Sequence, residues 1–245
     1  MTESTVILVF AAALATALAN GLGALPLVAT RLSSERGLAI GNAIAAGLML
    51  AACFVLIVEG YEFSAGRTLA GLLAGVAAIV AADRFIKRRG SPSIADIRGA
   101  DARSIVLIVG IMAAHSAAEG IGIGVAFAGG EPLGQFITLT IALHNVAQGL
   151  AICLVMVPRG ASIPSAAGWA VASGLPQPLL AVPAFLFVLT FEPWLPFGLG
   201  LAAGAMIWVI VAEIMPGALA GETPQRVGAI VTVAFTAMLA VILLF

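Results

Sequence analysis

Residues 112–124 read MAAHSAAEGIGIG, a histidine and a glutamate four positions apart in a run of otherwise small or apolar residues. A separation of four puts His115 and Glu119 one above the other on a helix face. What kind of fold holds them is decided by the surroundings. Of 245 residues, 62% are hydrophobic and 9% are charged, and the mean hydropathy is +1.15. Soluble domains carry about a quarter charged residues. Apolar runs of about 20 residues, the length that spans a hydrocarbon core, recur along the whole chain. Glycine and alanine dominate them, as suits close packing between membrane helices. An ordinary soluble domain is excluded, and the pattern predicts an all-α, polytopic membrane protein.

Cuts at Gly, Pro and charge clusters predict eight spans, at 5–29, 40–59, 67–86, 104–128, 133–157, 163–190, 196–217 and 226–245. They form a single integral membrane domain over 1–245: helices 1–3 to residue 86, a polar loop at 87–103, and helices 4–8 from 104 onward. Pro164, Pro176, Pro178 and Pro183 predict kinks in the sixth span. The first apolar run has no basic segment before it and continues past residue 25, so a retained helix is expected there. Cys53 and Cys153 stand singly in apolar runs and read as packing residues.

Basic residues set the expected orientation. Arg31 and Arg36 lie in the first loop, Arg84, Lys87, Arg88, Arg89, Arg98 and Arg103 in or beside the third, Arg159 in the fifth and Arg226 in the seventh. Only Arg67 falls on the other side. The positive-inside rule then puts the odd loops, including 87–103, in the cytoplasm and both termini outside.

Polar residues at membrane depth are few. The fourth span has His115, Ser116 and Glu119; the fifth has His144, Asn145 and Gln148; the seventh has Glu213, followed by Pro216. Intramembrane ionisable groups are costly and mark functional sites. The two central groups repeat each other: HSAAEGIGI (115–123) and HNVAQGLAI (144–152) share H-[SN]-x-A-[EQ]-G-[IL]-[GA]-I and hold both histidines of the protein. On antiparallel neighbouring helices they face one space, and Gly120 and Gly149 leave room for close backbone approach. Imidazole, carboxylate and amide donors converging in a low-dielectric interior are the ligand set of a borderline divalent cation such as Zn²⁺. The alternative is polar glue between two helices with no ion.

The same residues carry a resemblance. The chain resembles the ZIP (Zrt/Irt-like) family of divalent metal transporters, in particular its compact bacterial members. His115, Ser116, Glu119 and Gly120 match the fourth-span motif, and His144, Asn145 and Gln148 that of the fifth. GNAIAAGLMLAACF (41–54) is similar to the second span, with Met49 near the metal path, and GLGALP (21–26) to the first. ASGLPQPLLA (172–181) resembles the sixth, and AEIMP (212–216) the seventh, with Glu213. The resemblance implies an eight-helix bundle in a bacterial inner membrane, its termini outside. It also implies a metal site drawn from His115, Ser116, Glu119, His144, Asn145, Gln148, Glu213 and Met49. Gln148 stands where relatives have a bridging glutamate and Ser116 where asparagine is common, and 87–103 lacks the histidines of relatives' loops. Glu119 and Glu213 together balance one divalent ion, and a second would lie uncompensated in the membrane.

The expected function is import of a divalent metal, zinc first, with Fe, Mn, Co, Ni and Cd also fitting the donors. The metal is cargo, and no prosthetic group is implied. Expected partners are the metal cation and the lipid bilayer, without nucleic acid; a homodimer is compatible with the sequence. A proton-linked carrier of a small organic solute is the alternative, although no arginine lies mid-span to hold a substrate. An intramembrane metalloenzyme is a further one, but each helix supplies a single histidine and no separate carboxylate stands by as base.

Overall fold

The computed structural model describes residues 3–30, 35–87, 102–157 and 160–242. Regular structure among the described residues is helical: α1 (Glu3–Leu22), α2 (Leu25–Thr30), α3 (Glu35–Lys87), α4 (Ala102–Gly129), α5 (Glu131–Met156), α6 (Ile163–Gly174), α7 (Pro176–Thr190), α8 (Leu195–Val209), α9 (Met215–Leu219) and α10 (Pro224–Ile242). A 3₁₀ turn at Glu192–Trp194 precedes α8, and a π-helical turn at Ile210–Ile214 follows it. The expected cytoplasmic loop 87–103 lies outside the described residues apart from Lys87, Ala102 and Arg103.

Among the described residues, six helical stretches are long and apolar enough to cross a membrane: Ser4–Val28, Arg36–Phe85, Glu131–Leu154, Ile163–Thr190, Glu192–Leu219 and Pro224–Val241. The second corresponds to two expected spans. Its helix, α3, has 53 residues and if straight would run about 80 Å, far more than a bilayer core. It does not run straight. The backbone leaves helical geometry at Ser64 (φ −169°, ψ 103°), and Thr68 donates its hydroxyl to the Ser64 carbonyl at 2.9 Å. Gly60 and Thr68 come into direct contact across the bend, which two residues eight apart on one straight helix could not do. The sixth expected span also breaks, at Leu175 ahead of Pro176 and Pro178. The first divides at Gly23–Ala24, ahead of Pro26.

The second half of α3 lies against α8 through glycines on both helices. A methyl group at Gly71 or Gly75 would strike the carbonyls of Phe197 or Leu201, and one at Gly200 or Gly204 those of Thr68 or Leu72. Two Gly-x-x-x-Gly faces therefore meet each other, which brings the backbones together with no side chain between them. The first half packs on α10, where Gly47 touches Val231 and Ala234. At one end, Arg36 and Arg226 both pair with Glu222. At the other, Arg67 donates to the Pro193 carbonyl at 3.0 Å.

Burial is inverted relative to a soluble protein. Leu73, Val233, Leu179 and Val28 point outward, while Thr16, Asn20, His115, Ser116, Glu119, His144, Asn145, Gln148 and Gln177 are buried. Buried polar groups are costly unless they satisfy one another or hold something, and these gather in one region beside the main apolar cluster of Met49, Leu56, Ile123, Phe185 and Met206.

Candidate metal centre

His115 and Glu119 are on α4, His144 and Gln148 on α5, and both histidines lie near the middle of their helices. His115 Nε2 is 3.3 Å from Glu119 Oε1, His144 Nε2 is 3.4 Å from the same oxygen, and the two Nε2 atoms are 3.3 Å apart. Three donor atoms from two helices thus form a nearly equilateral triangle. The rings meet edge to face at 79°. Glu119 is fully buried and each histidine is 3% exposed.

The two motif glycines position this triangle, each by admitting a third element. A methyl group at Gly120 would strike the backbone of Gln177 at the start of α7. One at Gly149 would strike the Asn20 carbonyl on α1. The expected close approach is present, and α7 and α1 are what approach.

No protein-family model matches the chain. It is similar to the zinc transporter GufA of Myxococcus xanthus, 31% identical over 211 residues that cover 81% of this chain and 83% of that protein. The chain belongs to the ZIP family. It is also 33% identical to the zinc transporter ZIPB of Bordetella bronchiseptica over 218 residues, 81% of this chain and 68% of that one. An Arabidopsis thaliana protein described as a candidate zinc transporter is 43% identical over 235 residues. That alignment takes in 95% of this chain but 38% of the plant protein, so the ZIP chain spans well under half of its length.

Within this ZIP chain, the structure brings His115, Glu119 and His144 together as the group whose donor atoms all lie within 4.8 Å of one another. Ser116 Oγ, Asn145 Oδ1 and the Nδ1 atoms of both histidines are buried with no hydrogen-bond partner among the described residues. Gln148 sits beside His144. Glu213 is not in the triangle. It lies half-buried on the π-helical turn, where the Met215 N–H reaches back five residues to Ile210 O. Pro216 just beyond has no N–H to give to the preceding turn, which explains why the widened turn forms here. The Glu213 carboxylate still interacts electrostatically with His115. Met49 is fully buried in the apolar cluster.

Gln177 was not among the expected site residues, yet it joins the centre directly. Its Nε2 donates to Glu119 Oε2 at 2.6 Å. Its Oε1 accepts from Asn145 Nδ2 at 3.2 Å and lies 2.9 Å from Thr16 Oγ1, whose one hydrogen is shared with the Ala13 carbonyl at 2.7 Å. Asn145 Nδ2 also donates to the Thr16 carbonyl at 2.8 Å. A search that follows the histidine motifs passes over Gln177. Its visible signal is an amide set between two prolines in an apolar span, PQP at 176–178.

Proposed function

We propose that this ZIP protein is a transporter that admits divalent transition-metal ions to the cytoplasm, zinc first, through a single-ion midplane site held by α4 and α5. The triangle of His115 Nε2, His144 Nε2 and Glu119 Oε1 carries this reading. A tetrahedral site with metal–donor distances of about 2.0–2.1 Å has edges of about 3.3–3.4 Å. The observed sides of 3.3, 3.3 and 3.4 Å match one face of such a tetrahedron. Two imidazoles and a carboxylate also suit zinc's borderline chemistry. Gln148, Ser116 and Asn145 supply neutral oxygens for the fourth position. Glu213 contributes the second negative charge from the inner side, and Met49 a thioether along the route. Relatives named as zinc transporters support the same cargo.

Eight passes are part of this proposal. α3 crosses twice by turning at Ser64, and α4 adds a crossing to those of the other five apolar stretches. Supporting this, Arg36 of the first loop and Arg226 beyond the seventh meet at Glu222, while Arg67 of the second loop meets Pro193 of the sixth. Two odd connections thus meet each other and two even ones meet each other, as alternation requires. The positive-inside rule makes the odd end cytoplasmic, in a bacterial inner membrane.

Metal analysis of the purified chain and ⁶⁵Zn²⁺ uptake into proteoliposomes test the reading together. One bound ion and saturable uptake are expected of the wild type. Glu119→Ala removes the only carboxylate of the triangle, so it should abolish both while the protein remains inserted; His115→Ala and His144→Ala should weaken them. Uptake by Glu119→Ala at the wild-type rate would sink the proposal.

A further inference from the structure

We infer that Gln177 is a positioning residue that holds Glu119 to a single metal-facing oxygen, and that this selects small, four-coordinate cations over larger, higher-coordinate ones. The inference rests on reading the histidine–glutamate triangle as the metal site.

The observation is how the two oxygens of one carboxylate are used. Glu119 Oε1 completes the triangle with the imidazoles, and Oε2 accepts the Gln177 amide at 2.6 Å. The amide cannot be reversed without loss. Its oxygen faces the Thr16 hydroxyl and the Asn145 Nδ2 group, so a flipped amide would set its NH₂ against the Asn145 NH₂ and take a donor from the carboxylate. Asn145 is itself anchored, because its other amide hydrogen goes to the Thr16 carbonyl. All of these groups are fully buried, which leaves bulk water no access to replace a broken link. Gly120 keeps the chain in register by letting the Gln177 backbone rest on α4.

A carboxylate held in this way offers one oxygen. Zinc in a tetrahedral site needs only that one. Manganese prefers an octahedral set rich in oxygen and gains from carboxylates that bind through both atoms. Tying up Oε2 therefore costs zinc nothing and removes a donor that manganese would use. Partners that orient a ligand typically change metal affinity 10- to 100-fold when lost.

The test compares the purified protein as wild type and as Gln177→Met, which keeps the side chain's length and removes every hydrogen bond of the amide. Zn²⁺ and Mn²⁺ affinities are titrated separately, and Co²⁺ is used as a spectroscopic probe, since tetrahedral Co²⁺ absorbs visible light far more strongly than octahedral Co²⁺. The expected result is a fall of about 10-fold or more in the Zn²⁺-to-Mn²⁺ affinity ratio, with loss of the intense Co²⁺ band. An unchanged ratio and band in folded Gln177→Met would overturn the inference and leave the metal site standing. No metal bound by the wild type would overturn the site reading itself. Should Gln177→Met fail to fold, Thr16→Val removes the hydroxyl beside Gln177 Oε1 at nearly constant volume. It should shift the ratio the same way by a smaller factor, and an unshifted ratio refutes the role.

Discussion

The two motif copies differ most in what they put at their fifth position, Glu119 on α4 and Gln148 on α5. An amide keeps an oxygen donor there and removes a charge. Gln148 is 6% exposed and sits beside His144, so a carboxylate in its place would face the same space as the triangle. Gln148→Glu should therefore tighten zinc binding by adding a third negative charge to those of Glu119 and Glu213, and it offsets part of the charge of a second ion. Tighter binding slows release, so the expected kinetics are a lower KM with an unchanged or lower maximal rate. Stoichiometry and uptake, measured side by side on both forms, check this. Two ions on each wild-type chain would refute the charge argument, and identical kinetics would mean that Gln148 does not face the ion. At this scale the meeting of His115, Glu119 and His144 was legible, because His115 and Glu119 lie one helical turn apart and the copy at His144 repeats the pattern. Gln177 was not, because its partner Glu119 is 58 positions away and nothing local connects them.

Helices in this protein come together where glycine removes the obstacle, and the sites of contact are not equivalent to other glycines. Gly149 has the Asn20 carbonyl of α1 against it, whereas Gly168 on α6 has open space where a side chain would go. Gly149→Ala should cost about 1–3 kcal/mol through overpacking, and it should also weaken zinc binding by moving α5 against α1. Gly168→Ala should be neutral or slightly stabilising, as helix propensity favours alanine by about 1 kcal/mol. Thermal unfolding in detergent and zinc titration of the two variants form a matched pair. Equal effects would show that the α1–α5 approach is not what sets the site. The breaks in helices were only partly legible. Proline announced the break near residue 175: Leu175 keeps helical dihedrals (φ −57°, ψ −28°), but Pro176 and Pro178 have no N–H to give to the preceding turn. Ser64 has no proline beside it, but it falls in the gap at 60–66 that glycine and charge marked between two expected spans. Its bend is extended backbone open to any residue, held by Thr68 and by the packing of the two halves of α3 on different partners, α10 and α8.

For the whole molecule, pairing of connections at opposite ends makes orientation testable. A cysteine placed at Ser93, in a background lacking the buried Cys53 and Cys153, should resist membrane-impermeant reagents in intact cells and react after permeabilisation. Labelling from outside would reverse the orientation. Composition, run length and charge placement determined by themselves that this is a membrane helix bundle, because those properties depend on the solvent each helix meets and not on its neighbours. The motif repeat likewise determined which helices carry the imidazoles and that their chemistry suits zinc. Only the tertiary structure decided that one oxygen of Glu119 faces the histidines while the other is held by Gln177. That outcome depends on where α1 and α7 come to rest against α5 and α4. Their places are set by backbone contacts at Gly149 and Gly120, between segments far apart in the chain.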